Sequence, residues 1–139
     1  MPVVADAVRM AELVAVALTG DGYAADFTPA SLWEIDRFFD EQTRKGGPRR
    51  WGLLAQDTGL RLFSIGGYVG EVIRRDVGGE WEVDDDDPQA ELNLALRLVD
   101  DSLVWPVQRA VKRMRNGAED GIVAYAVALG VDVGKKPKR

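Results

Sequence analysis

The chain has 139 residues, 46% of them hydrophobic, with 18 basic and 23 acidic side chains for a net charge of −5, and it contains neither histidine nor cysteine. Without imidazole or thiol, Ser-His and Cys-His catalysis, typical zinc sites and disulfides are excluded within it, and any chemistry must rest on carboxylates, Lys, Arg, Tyr or Ser. The acidic balance disfavours nucleic acid as a partner and fits a protein partner with a basic surface.

The first element is an amphipathic helix over about residues 7–18, with Asp6 placed to cap it. Val8, Ala11, Ala15 and Leu18 recur at helical spacing, and Leu13, Val14 and Val16 widen the apolar face. Its apolar stretch AELVAVAL (11–18) is too short for a membrane span and lacks the features of a signal peptide, so no membrane association and a cytoplasmic location are expected. TGDGY (19–23) reads as a turn. Thr28-Pro29 starts a second helix, a hydroxyl cap followed by proline at the first helical position, and Ser31 with Glu34 offers a capping box if the start slips later. Leu32, Ile35, Phe38 and Phe39 make its buried stripe, with Glu34, Asp36, Asp40 and Glu41 largely outside it, and KGGP (45–48) ends it. A third helix begins between Arg50 and Asp57 and runs to Arg75. Leu62, Ile65, Val69, Val72 and Ile73 mark its apolar side, and DVGGEW (76–81) stops it.

The pattern then changes to period two. EWEV (80–83) reads as a short strand and DDDDP (84–88) as an acidic loop. ELNLALRLV (91–99) reads as a strand with Leu92, Leu94, Leu96 and Leu98 on one face, DD (100–101) as a tight turn, and SLVW (102–105) as the returning strand. Pro106 opens a helix carrying Val107, Ala110, Val111 and Met114 in register. Asn116-Gly117 breaks it, and another helix covers about residues 118–129. The order predicts a single α+β domain over residues 1–130. Four or five helices pack on a small antiparallel three-stranded meander at about residues 80–105. Residues 131–139, with GKKPKR at their end, are expected to be a basic, disordered tail.

Glycine inside a helix costs about 1 kcal/mol relative to alanine. Yet Gly66 and Gly70 share one face of the third helix, with Gly59 and Gly67 beside it. The spacing predicts a notch, filled in one reading by a neighbouring helix or the sheet. In the other reading it takes a ligand, with Tyr68, Glu71, Arg74 and Arg75 around the rim. Glu71 and Arg75 form an i,i+4 pair, and Arg74 lies on the glycine face, where a guanidinium suits a carboxylate or an anionic ligand. GGYVGEVIRRDVGGEW (66–81) resembles the signature of a family of small uncharacterised bacterial domains. That signature runs Gly-x-Tyr-x-Gly-Glu-Val-Ile-Arg-Arg, two variable residues, then Gly-Gly-x-Trp. SLWEIDRFFDEQ (31–42) and WPVQRAVKRMRNGAEDGIVAYAV (105–127) are similar to its leading and closing segments, although Gly121 stands where a serine is expected. The resemblance covers about residues 27–127. It implies one α+β domain and carries no activity with it.

Asp84, Asp85, Asp86 and Asp87 lack the alternating ligands and the glycine of a calcium loop. What remains is a solvated loop or a dense anionic surface that engages a basic partner. Arg109, Lys112, Arg113 and Arg115 gather at a helix C-terminus, where cations are favoured, and Glu119 and Asp120 at the start of the next helix. RKGGPRR (44–50) is a basic loop ahead of a helix start, without phosphate-loop spacing. The four tryptophans, at 33, 51, 81 and 105, are expected in packing. The carboxylates Glu71, Glu80, Glu82, Asp100 and Asp101 offer no distinguished acid-base pair. No metal and no cofactor are expected. The expected function is a non-catalytic protein-interaction module, one form of it an inhibitor or immunity-type protein presenting residues 84–87 to a basic partner. The alternative is a small anionic-ligand-binding module or modest enzyme centred on the Gly66/Gly70 face. Nucleic-acid contact through residues 109–115 and 135–139 is disfavoured by charge and by the absence of exposed aromatic interleaving.

Overall fold

The computed structural model describes residues 2–138. In chain order they form α1 (Val3–Gly20), α2 (Leu32–Gln42), β1 (Thr43–Arg44), β2 (Gly47–Pro48), α3 (Thr58–Val77), β3 (Glu80–Glu82), α4 (Ala90–Asn93), β4 (Ala95–Arg97), β5 (Leu103–Val104), α5 (Pro106–Asn116) and α6 (Ile122–Ala128). Strands β3, β4 and β5 make the antiparallel meander, with Trp81 opposite Leu96 and Leu96 opposite Val104. The domain is α+β, as its sequence order requires. Among the described residues, no helix is long and apolar enough to cross a membrane.

Helix α3 is the axis of the molecule. Every residue from Leu62 to Ile73 is buried, so neighbours must cover it on all sides, and its glycines decide how closely they come. A Cβ on Gly66 would stand 2.5 Å from the Cα of Val107 in α5, and one on Gly67 would stand 2.9 Å from the carbonyl oxygen of Ala7 in α1. One on Gly70 would run into the Trp81 indole at 2.0 Å. The notch expected on this face is therefore filled by the chain itself, by α5 and the first strand of the meander. Gly59 is different: nothing lies within 4 Å of its Cβ position. Helix α1 runs antiparallel to α3, since Ala7 meets Gly67 while Leu13, Val14 and Leu18 lie with Leu60 and Ile65 along one groove. Its buried contact residues Ala7, Ala11 and Ala15 are small, which brings the two backbones together.

Several element boundaries differ from the sequence reading, and each difference has a partner far along the chain. Helix α1 starts at Val3, because the Val3 amide donates to Asp85 at 2.8 Å; Asp6 lies inside the helix and pairs with Arg9. The Thr28-Pro29 signal produces a 3-10 turn at Pro29–Ser31 before α2. Ser31 and Glu34 do not form a capping box. The Ser31 hydroxyl donates to the Thr28 carbonyl, and Glu34 is buried, accepting from the Ala24 amide and pairing with Arg37. KGGP does not simply end α2. Residues 43–48 form a two-residue hairpin whose turn, Lys45-Gly46, has φ of 54° and 82°. The expected strand over 91–99 divides into α4 and β4, so Leu94, Leu96 and Leu98 point inward and Leu92 is exposed. The last helix starts at Ile122, after a 3-10 turn at Gly117–Asp120. Residues 131–134 belong to the body and not to a disordered tail. Val131 and Val133 are buried, and the Trp33 indole donates to the Val133 carbonyl at 3.2 Å. Arg139 of that expected tail lies outside the described residues, as does Met1 of the expected domain.

Candidate functional site

The four residues expected around the glycine notch form one structural network. Glu71 is fully buried. Its carboxylate accepts from Arg74 Nε at 2.7 Å and from the Trp81 indole at 2.8 Å, and it pairs with Arg75 at 3.3 Å. Burial pushes this carboxyl up, but the hydrogen bonds from Arg74 and Trp81 and the charge of the two arginines outweigh it and hold it below the usual range. The Tyr68 hydroxyl is also buried. It accepts from the Phe27 amide at 3.0 Å and shares a 2.6 Å hydrogen bond with Ser31, and burial raises its pKa. Arg75 lies 4.0 Å above the Phe27 ring. The network ties α3 to the meander and to residues 27–31, with the Glu71 carboxylate and the Tyr68 hydroxyl both engaged inside the chain.

The acidic loop is likewise tied to its own chain. Asp85 accepts from the first amide of α1, which is the task of a cap. Asp87 accepts from the Gln89 amide and the Asn93 side chain, each at 2.8 Å, which together depress its pKa. Asp84 closes a turn onto the Asp86 amide at 3.0 Å. Asp84, Asp85 and Asp86 remain exposed. Among the described residues, no group of three or more acidic side chains is disposed to hold a metal ion.

A third cluster escaped the sequence reading. Arg113, nearly fully buried in α5, donates to Asp36 at 2.9 Å and to Asp40 at 2.6 Å. Asp36 in turn accepts the amides of Ile122 and Val123, each at 2.9 Å, and so caps α6 from a different helix. The N-terminus of α6 therefore does not rely on Glu119 or Asp120. Asp120 instead pairs with Arg109 at 2.8 Å. Gly121, where a serine was expected, has no side chain to cap α6, and Asp36 performs that task.

The corner built by β1, β2 and the following loop contrasts with all of these. Arg44, Lys45, Arg49 and Arg50 are exposed, and Arg115 of α5 adjoins them, since a Cβ on Gly46 would meet its carbonyl oxygen at 3.1 Å. Arg9, Arg37, Arg74, Arg75, Arg97, Arg109 and Arg113 all pair with carboxylates, and Arg61 donates to the Leu53 carbonyl. Among the described residues, the arginines without such a partner are Arg44, Arg49, Arg50 and Arg115, and all four lie at this corner. Trp51 stands among them, 87% exposed, with the Arg50 guanidinium 5.4 Å from its ring. The expectation of a packed tryptophan fails here.

Trp51 also has φ of +64°. It is the third residue of the turn closed by the Gly52 amide on the Arg49 carbonyl at 2.9 Å, the position that glycine or asparagine normally takes. A left-handed backbone costs a bulky L-residue about 1–2 kcal/mol. The turn is nonetheless held firmly. Gln42 accepts the Leu53 amide at 2.8 Å, the Arg49 amide donates to the Gln42 carbonyl at 2.7 Å, and Leu54 is fully buried below. Leu53 then lines an apolar groove of about 270 Å³ between α1 and the start of α3, where Leu13 and Leu60 are about half exposed. The signal in the sequence was the string PRRWG, a turn composition with a tryptophan where a small residue belongs. No protein-family model, curated protein or solved structure matches the chain.

Proposed function

We propose that this chain is a cytoplasmic, non-catalytic protein-interaction module that docks its partner through the corner containing Trp51. The carrying observation is the tryptophan itself, almost wholly exposed and held on a left-handed backbone by a well-anchored turn. Folding gains nothing from that arrangement: glycine would relieve the strain, and water would not meet an indole. Tryptophan and arginine are the side chains that most often dominate binding energy at interfaces, and a rigid presentation lowers the ordering cost of association. A non-catalytic reading is supported by the pairing of Tyr68, Glu71, Arg74 and Arg75 within the chain and by the neighbours that fill the Gly66/Gly70 face.

Affinity capture with the wild-type chain and with Trp51→Gly tests the reading. The expected result is a partner retained by the wild type and lost, by tenfold or more, from a variant whose thermal unfolding is at least as high. Equal capture by both would sink it. A second reading, a basic partner on the acidic loop, is favoured by the exposure of Asp84, Asp85 and Asp86. It requires Asp84 and Asp85, which already accept backbone amides of this chain, to serve a partner as well, and leaves Asp86 as the carboxylate of the three uncommitted among the described residues.

A further inference from the structure

We infer that the partner element received at this corner is an acidic, amphipathic protein segment, with apolar side chains in the α1/α3 groove and carboxylates facing the hairpin. This rests on the Trp51 reading above and adds the chemistry of the occupant. Three observations support it. The cations are contiguous and, among the described residues, have no carboxylate partner: residues 43–56 contain no acidic side chain, and Arg44, Lys45, Arg49 and Arg50 are all exposed. The apolar groove adjoins them, because Leu53 lines it two residues after Trp51, with Met10, Leu13 and Leu60. Asp21 and Asp57 also line the groove, so carboxylates of the incoming segment are driven away from them and toward the arginines.

Single-stranded nucleic acid would suit tryptophan and arginine in principle, since bases stack on exposed aromatic rings. Here the cationic surface is short. Immediately before the hairpin, α2 exposes Asp40 and Glu41, with side-chain accessibilities of 64% and 49%. Both are already ion-paired, with Arg113 and with Arg37, so among the described residues the run of unpaired cations stops at the hairpin and does not extend along α2 to track a polyanion. A peptide concentrates its charge where the arginines are and needs no charge over the groove.

Panning a random peptide display library on the full chain at physiological salt tests the inference. The expected selection is of peptides with leucine or aromatic residues flanked by glutamate or aspartate. A synthesised winner should bind about tenfold or more weakly to the triple variant Arg44→Glu/Arg49→Glu/Arg50→Glu and to Leu60→Glu. The three arginines are exposed and unpaired, so the triple variant retains its fold, which circular dichroism checks. Selection of uncharged or basic peptides, unchanged binding by the triple variant, or tighter binding of oligo(dT) than of the selected peptide would each overturn the inference. Peptides that depend on Trp51 but not on the arginines would overturn it while leaving the proposed function standing. Equal selection on Trp51→Gly would remove both.

Discussion

The acidic loop at residues 84–87 and the basic loop at residues 44–51 sit at opposite ends of the α1/α3 pair. The first lies beside the start of α1, the second beside its end and the start of α3. Their side chains are used in opposite senses. In the acidic loop Asp85 caps α1, Asp87 holds the start of α4 and Asp84 closes its own turn. In the basic loop no cation reaches a carboxylate among the described residues, and an indole is held outward on a strained residue. The interior follows the acidic pattern: Glu71 gathers two arginines and the Trp81 indole, and Asp36 gathers one arginine and two backbone amides. Charge density in the sequence thus says little about where a surface is available, because what decides it is whether the fold brings a partner within reach: carboxylates find backbone amides and arginines such as Arg61 find carbonyls.

The strongest test of this contrast removes an inward carboxylate. Asp36→Ala leaves Arg113 buried with less compensation and two amides of α6 without an acceptor. A loss of about 3–4 kcal/mol is expected, read as a lower urea midpoint. Glu71→Gln comes next, at about 2 kcal/mol near neutral pH. Its pH dependence carries a sign. The Glu71 carboxyl is held below its ordinary range when folded, so its contribution is complete above the unfolded pKa and is lost as pH falls through the folded pKa. The stability gap between wild type and Glu71→Gln should therefore be widest at neutral pH and close on acidification below the ordinary glutamate range. A gap independent of pH would mean that packing, and not ionisation, is what Glu71 supplies.

These inward contacts also mark the limit of what the sequence discloses. Periodicity located α3, the meander and α5, since Leu62, Ile65, Val69, Leu94, Leu96 and Ala110 are buried as their spacing requires. The glycines of α3 pointed to close packing because a missing side chain has a local meaning. Asp36 gave no such signal. Its partners Ile122 and Val123 stand 86 and 87 positions away, and on α2 it occupies a polar position like any other. Leu92 misled because one helical turn followed by a strand can imitate alternation. Trp51 misled for a third reason. Tryptophan is usually buried, and whether the third position of a turn faces solvent is decided by Gln42 and Leu54 beneath it, which no local pattern records.

Two substitutions of similar size and opposite sign bring the loops into direct comparison. Trp51→Gly should raise stability by up to about 1 kcal/mol, since glycine occupies a positive φ without penalty. Asp85→Ala should lower it by about 1 kcal/mol, through loss of the cap on α1. Thermal unfolding of both variants, followed by circular dichroism, decides the signs. If Trp51→Gly is destabilising, the indole has a structural task, and its exposure ceases to argue for a partner.

Asp86 is where the contrast has the smallest stability effect and the greatest power to fail. It is the member of the acidic run whose carboxylate has no hydrogen-bond or ion-pair partner among the described residues, so Asp86→Asn should change stability by no more than about 0.5 kcal/mol. Asparagine keeps the shape and removes one charge, which isolates electrostatics from packing. If the acidic loop only supports its own chain, partner capture by Asp86→Asn equals that of the wild type at every salt concentration. If the loop engages a basic partner surface, capture weakens at low salt, and the difference fades as salt screens the exposed charge. That second outcome would make the two ends of the molecule alike, each presenting charge outward, and would move the binding surface from the tryptophan to the aspartates.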